Sequence, residues 1–125
     1  MEKILDVEFE QAARLLVEHL PVSDEASRKP ILFHSIRVWT YLYNNNYSRA
    51  IILAGVLHDT LEFSTITEKI LREEFGDTVT QLVLANTKDD LIKDPTAKTT
   101  ELIKRCITCG QDALIVKAAD ILDSF

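Results

Sequence analysis

With 125 residues, 46% of them hydrophobic and 27% charged, the chain has the size and composition of one ordinary globular core. Its formal net charge of −6 and pI near 5.0, with basic residues scattered rather than clustered, exclude sequence-independent binding to a nucleic-acid backbone; a small phosphorylated ligand remains compatible. Three glycines, three prolines and few alternating β-branched runs make helix the default, in a single domain over residues 1–125.

The opening MEKILDVEFEQAARLL lacks the uninterrupted apolar core of a signal peptide. The longest apolar stretch, around Ile51 to Leu57, is far too short to span a bilayer, so a cytoplasmic protein without membrane contact is expected. Phe9, Ala12, Ala13, Leu15, Leu16 and Leu20 recur at helical spacing before Pro21, which predicts a first helix over residues 7–20. His19 falls in its last turn, where the helix dipole favours an imidazole, and reads as a surface residue. Residues 21–30, PVSDEASRKP, mark a connection. A second helix should run from Pro30 to Asn44, with Ile31, His34, Val38, Tyr41 and Leu42 on one face and Arg37 and Thr40 turned away. Taken alone, His34 reads as a satisfied core histidine. Asn44-Asn45-Asn46 closes the helix, because asparagine tolerates the left-handed turn. Trp39, Tyr41, Tyr43 and Tyr47 are candidates for an aromatic patch facing a partner, a second copy of the chain included, although helical packing should bury at least two of them.

The central stretch is Ala50 to Glu62, AIILAGVLHDTLE. Its apolar run is too continuous for a surface helix, so it should cross the core and carry His58, Asp59 and Glu62 to one end. Glu62 stands i,i+4 from His58 and i,i+3 from Asp59, one turn beyond the pair. Burying two acids and an imidazole without partners costs several kcal/mol, roughly, and a divalent cation is the common remedy.

Thr65 with Glu68 matches a capping box, Gly76 is placed to stop that helix, and Asp77 to cap the next, which fades at Asn86. The polar segment 88–97 is the best candidate for a mobile loop, with Asp94-Pro95 as a helix start. The helix through Leu102, Ile103 and Cys106 should end at Gly110, with Asp112 capping the last one. That last helix reads as a buried apolar run carrying one acid, Asp120. Cys106-Ile107-Thr108-Cys109 lacks both the further ligands of a zinc site and a βαβ context, so two helix-borne thiols without catalytic chemistry are expected, redox sensitivity being the other reading.

His34, His58-Asp59 and Asp120 thus lie on three apolar helices, and two imidazoles with two carboxylates suit manganese, iron or zinc. This series resembles the H…HD…D signature of the HD-domain metal-dependent phosphohydrolases, an all-α fold of about six to seven helices with the metal site between them. The surroundings resemble the RelA/SpoT-type hydrolase domains and their small stand-alone relatives, which remove pyrophosphate from the 3′ position of guanosine alarmones such as ppGpp. The matching stretches are Pro30-Ile-Leu-Phe-His34, Ala54-Gly-Val-Leu-His58-Asp59-Thr-Leu-Glu62, Phe75-Gly76 with Val79, Leu82-Val83, Thr87-Lys88 and Lys117-Ala-Ala-Asp120.

The resemblance implies that His34, His58, Asp59 and Asp120 hold one metal ion, typically manganese, that Glu62 positions or activates the attacking water, and that Lys88 lies near the substrate. A divalent ion acidifies water and polarises a phosphoryl oxygen, while a carboxylate one turn away can handle a proton. Arg28, Lys29 and Lys117 are candidates to neutralise phosphates, and Ser124 to face the substrate. The chain departs from the pattern at Phe63, where these hydrolases carry a second acid (HDxxED), and at Asp120-Ile121-Leu122-Asp123-Ser124, where they read D-R-L-H-N. It also has Ile31 for an aromatic residue and Arg28 for a glycine, and relatives carry further helix beyond the position of Phe125. The expected function is a metal-dependent phosphohydrolase acting on a nucleotide, with the alarmone 3′-pyrophosphate as leading substrate. An HD hydrolase of other specificity, such as a 5′-nucleotidase-like enzyme, and a non-catalytic nucleotide-binding module are the competing readings.

Overall fold

The computed structural model describes residues 2–21 and 30–124, and among them helix is the only regular structure. The segments are α1 (Glu2–His19), α2 (Ile31–Asn44), α3 (Arg49–Leu57), α4 (Thr60–Phe63), α5 (Glu68–Phe75), α6 (Asp77–Ala85), α7 (Pro95–Cys109) and α8 (Gln111–Asp123). Seven are proper helices, and α4 is a single turn.

The apolar run expected to cross the core does so. Ile51 to Thr60 are all buried, and α3 packs against α1, α2, α6 and α8. Each fully buried Leu or Val there, such as Leu53, Val56 and Leu57, contributes about 1.5–3 kcal/mol. Ser48 starts the helix, its Oγ accepting from the Ile51 amide. Gly55 lets α2 approach: a Cβ at this position would collide with Leu42 Cδ1 and press on Val38 Cγ1, both fully buried. That close approach sets the spacing between His34 on α2 and His58 at the end of α3.

Two glycines each separate a pair of helices. Gly76 (φ 90°) ends α5 through its amide, bonded to Arg72 O, and begins α6 through its carbonyl, bonded to the Thr80 amide. Gly110 (φ 127°) does the same between α7 and α8, with Cys106 O and the Leu114 amide. A side chain at either would be strained, and so one residue makes each corner. Asn46 (φ 61°) takes the left-handed position after α2, as its residue type led one to expect.

Several expectations are corrected. The first helix begins earlier, at Glu2 rather than residue 7. Helix α5 is capped by Thr67, whose Oγ1 accepts from the Ile70 amide, because the Thr65 hydroxyl is bonded to His19 Nδ1. Asp77 lies inside the first turn of α6 and pairs with Arg72, the cap position being Gly76; Asp112 stands in the same relation to Gly110. Tyr41 is exposed, since the inward face of α2 is His34, Ser35, Val38 and Leu42. The last helix is amphipathic rather than buried all round: Ala113, Val116 and Ala119 face the core while Leu114, Ile121 and Leu122 are exposed. Small residues on its inner face let α8 lie close to α2 and α3. Of the aromatic candidates, Trp39 and Tyr47 pack on the core and Tyr41 and Tyr43 are exposed.

Cys106 and Cys109 are both free thiols on α7. Cys106 is buried and donates to Ala85 O at 3.2 Å, and burial pushes its pKa up, which keeps it a thiol rather than a thiolate. No described helix is long and apolar enough to cross a membrane.

Candidate metal centre

Helix α3 ends just where the apolar run does, although His58 and Asp59 keep right-handed helical torsions. Thr60 Oγ1 donates to Leu57 O at 2.7 Å, and α4 starts a new turn after Asp59. His58 and Asp59 therefore sit at a corner of the buried α3, not within a continuing helix, and Glu62 belongs to the separate turn α4. At this corner the His58 ring is buried, with Nδ1 2.7 Å from Gly55 O. A carbonyl only accepts, so Nδ1 carries the hydrogen and Nε2 is turned to the interior.

His34 arrives from α2 as the mirror case. It is fully buried, its Nδ1 lies 2.6 Å from Asp123 Oδ2, and its Nε2 lies 3.0 Å from His58 Nε2. Asp59 Oδ2 stands 3.2 Å from His58 Nε2 and 3.6 Å from His34 Nε2. Asp120 Oδ1, from α8, stands 2.9 Å from His34 Nε2 and 3.4 Å from His58 Nε2. Its other oxygen is 3.0 Å from Lys117 Nζ.

This donor set fits a divalent cation. Ligand atoms on an ion at about 2.1 Å stand about 3.0–3.4 Å from one another, and the spacings here run from 2.9 to 3.6 Å around that range. His34, His58 and Asp120 offer ligand atoms that all lie within 4.8 Å of one another, and Asp59 Oδ2 lies against both imidazoles. Both histidines have the outer nitrogen engaged by an acceptor, the arrangement that directs imidazole lone pairs at a metal. Without an ion a proton takes its place. Burial lowers the His58 pKa, yet Asp59 and Asp120 outweigh it and raise it to about 10. Burial likewise pushes Asp120 up, and the hydrogen bonds from His34 and His58 hold it well below the usual carboxylate range.

The other predicted site residues fall unevenly. Glu62 is half-buried, and its Oε1 accepts from the Lys88 amide at 2.6 Å. Burial raises its pKa, against the lowering effect of that hydrogen bond. Lys88 thus meets Glu62 through its backbone, while its side chain is exposed. The Ser124 hydroxyl donates back to Asp120 O at 2.9 Å and spends its hydrogen on its own helix. Lys117 reaches Asp120. Arg28 and Lys29 lie outside the described residues. A groove of about 360 Å³ lined by Asp6, Phe9, Glu10, Trp39, Thr40 and Tyr43 contains none of the site residues.

Sequence reasoning missed Asp123 and Arg37. In the sequence Asp123 stands only as a departure from a motif, and helical spacing turns Arg37 away from the inward face. Arg37 does face solvent, but its Nε and Nη2 close on Asp123 Oδ1 and Oδ2 at 2.6 and 3.0 Å. The available signal was spacing: Arg37 is i+3 from His34, and Asp123 is i+3 from Asp120.

The all-helical fold is that of the HD-domain proteins, and the cluster of His34, His58 and Asp120 is a candidate metal site within it. The chain belongs to the HD domain family, whose model matches residues 12–124 and whose members are metal-dependent hydrolases. Its relatives are proteins of the RelA/SpoT type. A GTP pyrophosphokinase of Streptomyces coelicolor is 35% identical over 99 residues, covering 77% of this chain and 12% of that protein. A guanosine-3′,5′-bis(diphosphate) 3′-pyrophosphohydrolase of Aquifex aeolicus is 26% identical over 144 residues, covering 99% of this chain and 21% of that protein. The chain therefore spans only a small part of the length of these relatives. The solved structure of a metazoan ortholog of SpoT, described as hydrolysing ppGpp, matches with a TM-score of 0.78 at 22% identity, over 93% of this chain and 67% of that one. At this identity the likeness is one of fold.

Proposed function

We propose that the chain is a metal-dependent phosphohydrolase acting on a nucleotide, with a guanosine 3′,5′-bis(diphosphate) 3′-pyrophosphohydrolase-like activity. The observation that carries this reading is the pair of buried imidazoles, 3.0 Å apart at Nε2, each anchored at Nδ1 and flanked by Asp59 and Asp120. His34, His58, Asp59 and Asp120 hold one divalent ion, manganese first among the candidates and iron or zinc next. When bound, such an ion polarises a phosphoryl oxygen and acidifies water. Glu62 is the base. It is close enough to the cluster for Asp59 and His58 to act on its charge, and burial raises its pKa, which makes it a stronger base than an ordinary carboxylate. Its hydrogen bond to the Lys88 amide fixes the carboxylate and brings the loop after α6 alongside, so that Lys88 can meet a phosphate. Relatives named for guanosine-3′,5′-bis(diphosphate) hydrolysis support this substrate class.

The second reading is a nucleotide-binding module without turnover. It is favoured by the exposed Phe63 next to Glu62 and by Ser124, whose hydroxyl is folded onto Asp120. Incubating manganese-loaded protein with 3′-pyrophosphorylated guanosine nucleotides and with ordinary nucleoside mono-, di- and triphosphates separates these cases. Pyrophosphate released from the 3′ compounds, and absent with Asp59→Ala, is the expected result. Orthophosphate from monophosphates would redirect the assignment to a nucleotidase, and binding without product to the module. Glu62→Gln should retain the metal and lose about 10²–10⁴-fold in rate; full activity would remove its role.

A further inference from the structure

Asp123 is an acid that its own helix does not explain. It closes α8, where the helix dipole disfavours a carboxylate, and it caps nothing: the cap residue is Ser124, whose amide turns back to Ile121 O and Leu122 O. Its oxygens go instead to α2. Oδ2 lies 2.6 Å from His34 Nδ1 and 3.0 Å from Arg37 Nη2, and Oδ1 lies 2.6 Å from Arg37 Nε. The guanidinium thus grips both oxygens side-on, which sets the plane of the carboxylate as well as its position. An ionised carboxylate only accepts, so His34 must carry its hydrogen on Nδ1 and present Nε2 to His58, Asp59 and Asp120.

We infer that Asp123 is a positioning residue of the metal centre, held by Arg37 and acting through His34. This rests on the reading of the cluster as a metal site. Asp123 orients the ring, fixes its tautomer and makes Nε2 a stronger donor to a cation, while Arg37 keeps the carboxylate in place. Asp123 is not itself a ligand, because it lies on the far side of the His34 ring from the cluster. The pair also makes the centre dependent on the docking of α8 against α2, since His34 and Asp123 are 89 residues apart.

Manganese affinity measured by titration calorimetry, alongside the melting temperature of each metal-free protein, tests this. Asp123→Ala should weaken manganese binding about 10–100-fold. Asp123→Asn, which keeps the shape and one acceptor, should weaken it less, and Arg37→Met less again. In the zinc-loaded protein, long-range nitrogen–proton NMR spectra should show the hydrogen of His34 on Nδ1. Manganese binding by folded Asp123→Asn and Asp123→Ala that equals the unaltered protein's, with only the melting temperature changed, would reduce Asp123 to a tie between α2 and α8. Should Asp123→Ala not fold, Asp123→Asn decides alone. Failure of the unaltered protein to bind manganese or zinc would instead sink the metal reading and this inference with it.

Discussion

The two imidazoles of the centre do the same work by different means. His58 is anchored by Gly55 O, a backbone carbonyl three residues back in the same buried stretch. His34 is anchored by Asp123, a side chain from another helix, with a partly exposed arginine behind it. One anchor is local and comes with the helix; the other exists only after α8 has docked. The His58 arm should therefore be formed whenever α3 is packed, and the His34 arm should be where the centre loosens first.

The largest effect should come from removing what both arms share. Asp120 Oδ1 touches both Nε2 atoms, so Asp120→Ala should abolish calorimetrically detectable manganese binding, a greater loss than the 10–100-fold expected for the outer carboxylate. Retained binding would mean that Asp120 is a structural partner of the histidines.

Next in size is a substitution on the His58 side. Gly55→Ala forces a methyl group against fully buried Leu42 and Val38 and should destabilise the protein by about 1–3 kcal/mol in urea unfolding. Because it pushes α2 from α3, it should also lower metal affinity by changing the distance between the imidazoles. An unchanged midpoint would show that Leu42 swings aside at no cost.

The smallest readout is protonic. With the His58 pKa raised to about 10 in the metal-free protein, that proton contributes stability in full below the unfolded value of 6.5, and the contribution is lost as pH rises toward 10. The metal-free melting temperature should therefore fall across this interval, while the metal-loaded protein lacks this component. Manganese binding at pH 8 should release about one proton, read from calorimetry in buffers of different ionisation enthalpy. No release would mean that His58 is already neutral.

What the sequence determined by itself is what local physics controls. The apolar run of α3 had to be buried wherever it went, Gly76, Gly110 and Asn46 had to mark corners because of their backbone freedom, and Asp94-Pro95 had to open a helix. The residue types of His34, His58-Asp59 and Asp120, on apolar faces, already pointed to the cluster proposed as a cation site. What only the tertiary structure decided was which nitrogen of each ring faces inward, which of Thr65 and Thr67 caps α5, and which side of α8 is dry. Each depends on a partner distant in sequence: Asp123 for His34, His19 for Thr65, and the faces of α2, α3, α6 and α7 for α8. The i+3 spacings of Arg37 and Asp123 were visible in the chain. That they meet is a consequence of packing, since a helical period names a face but not the face it will lie against.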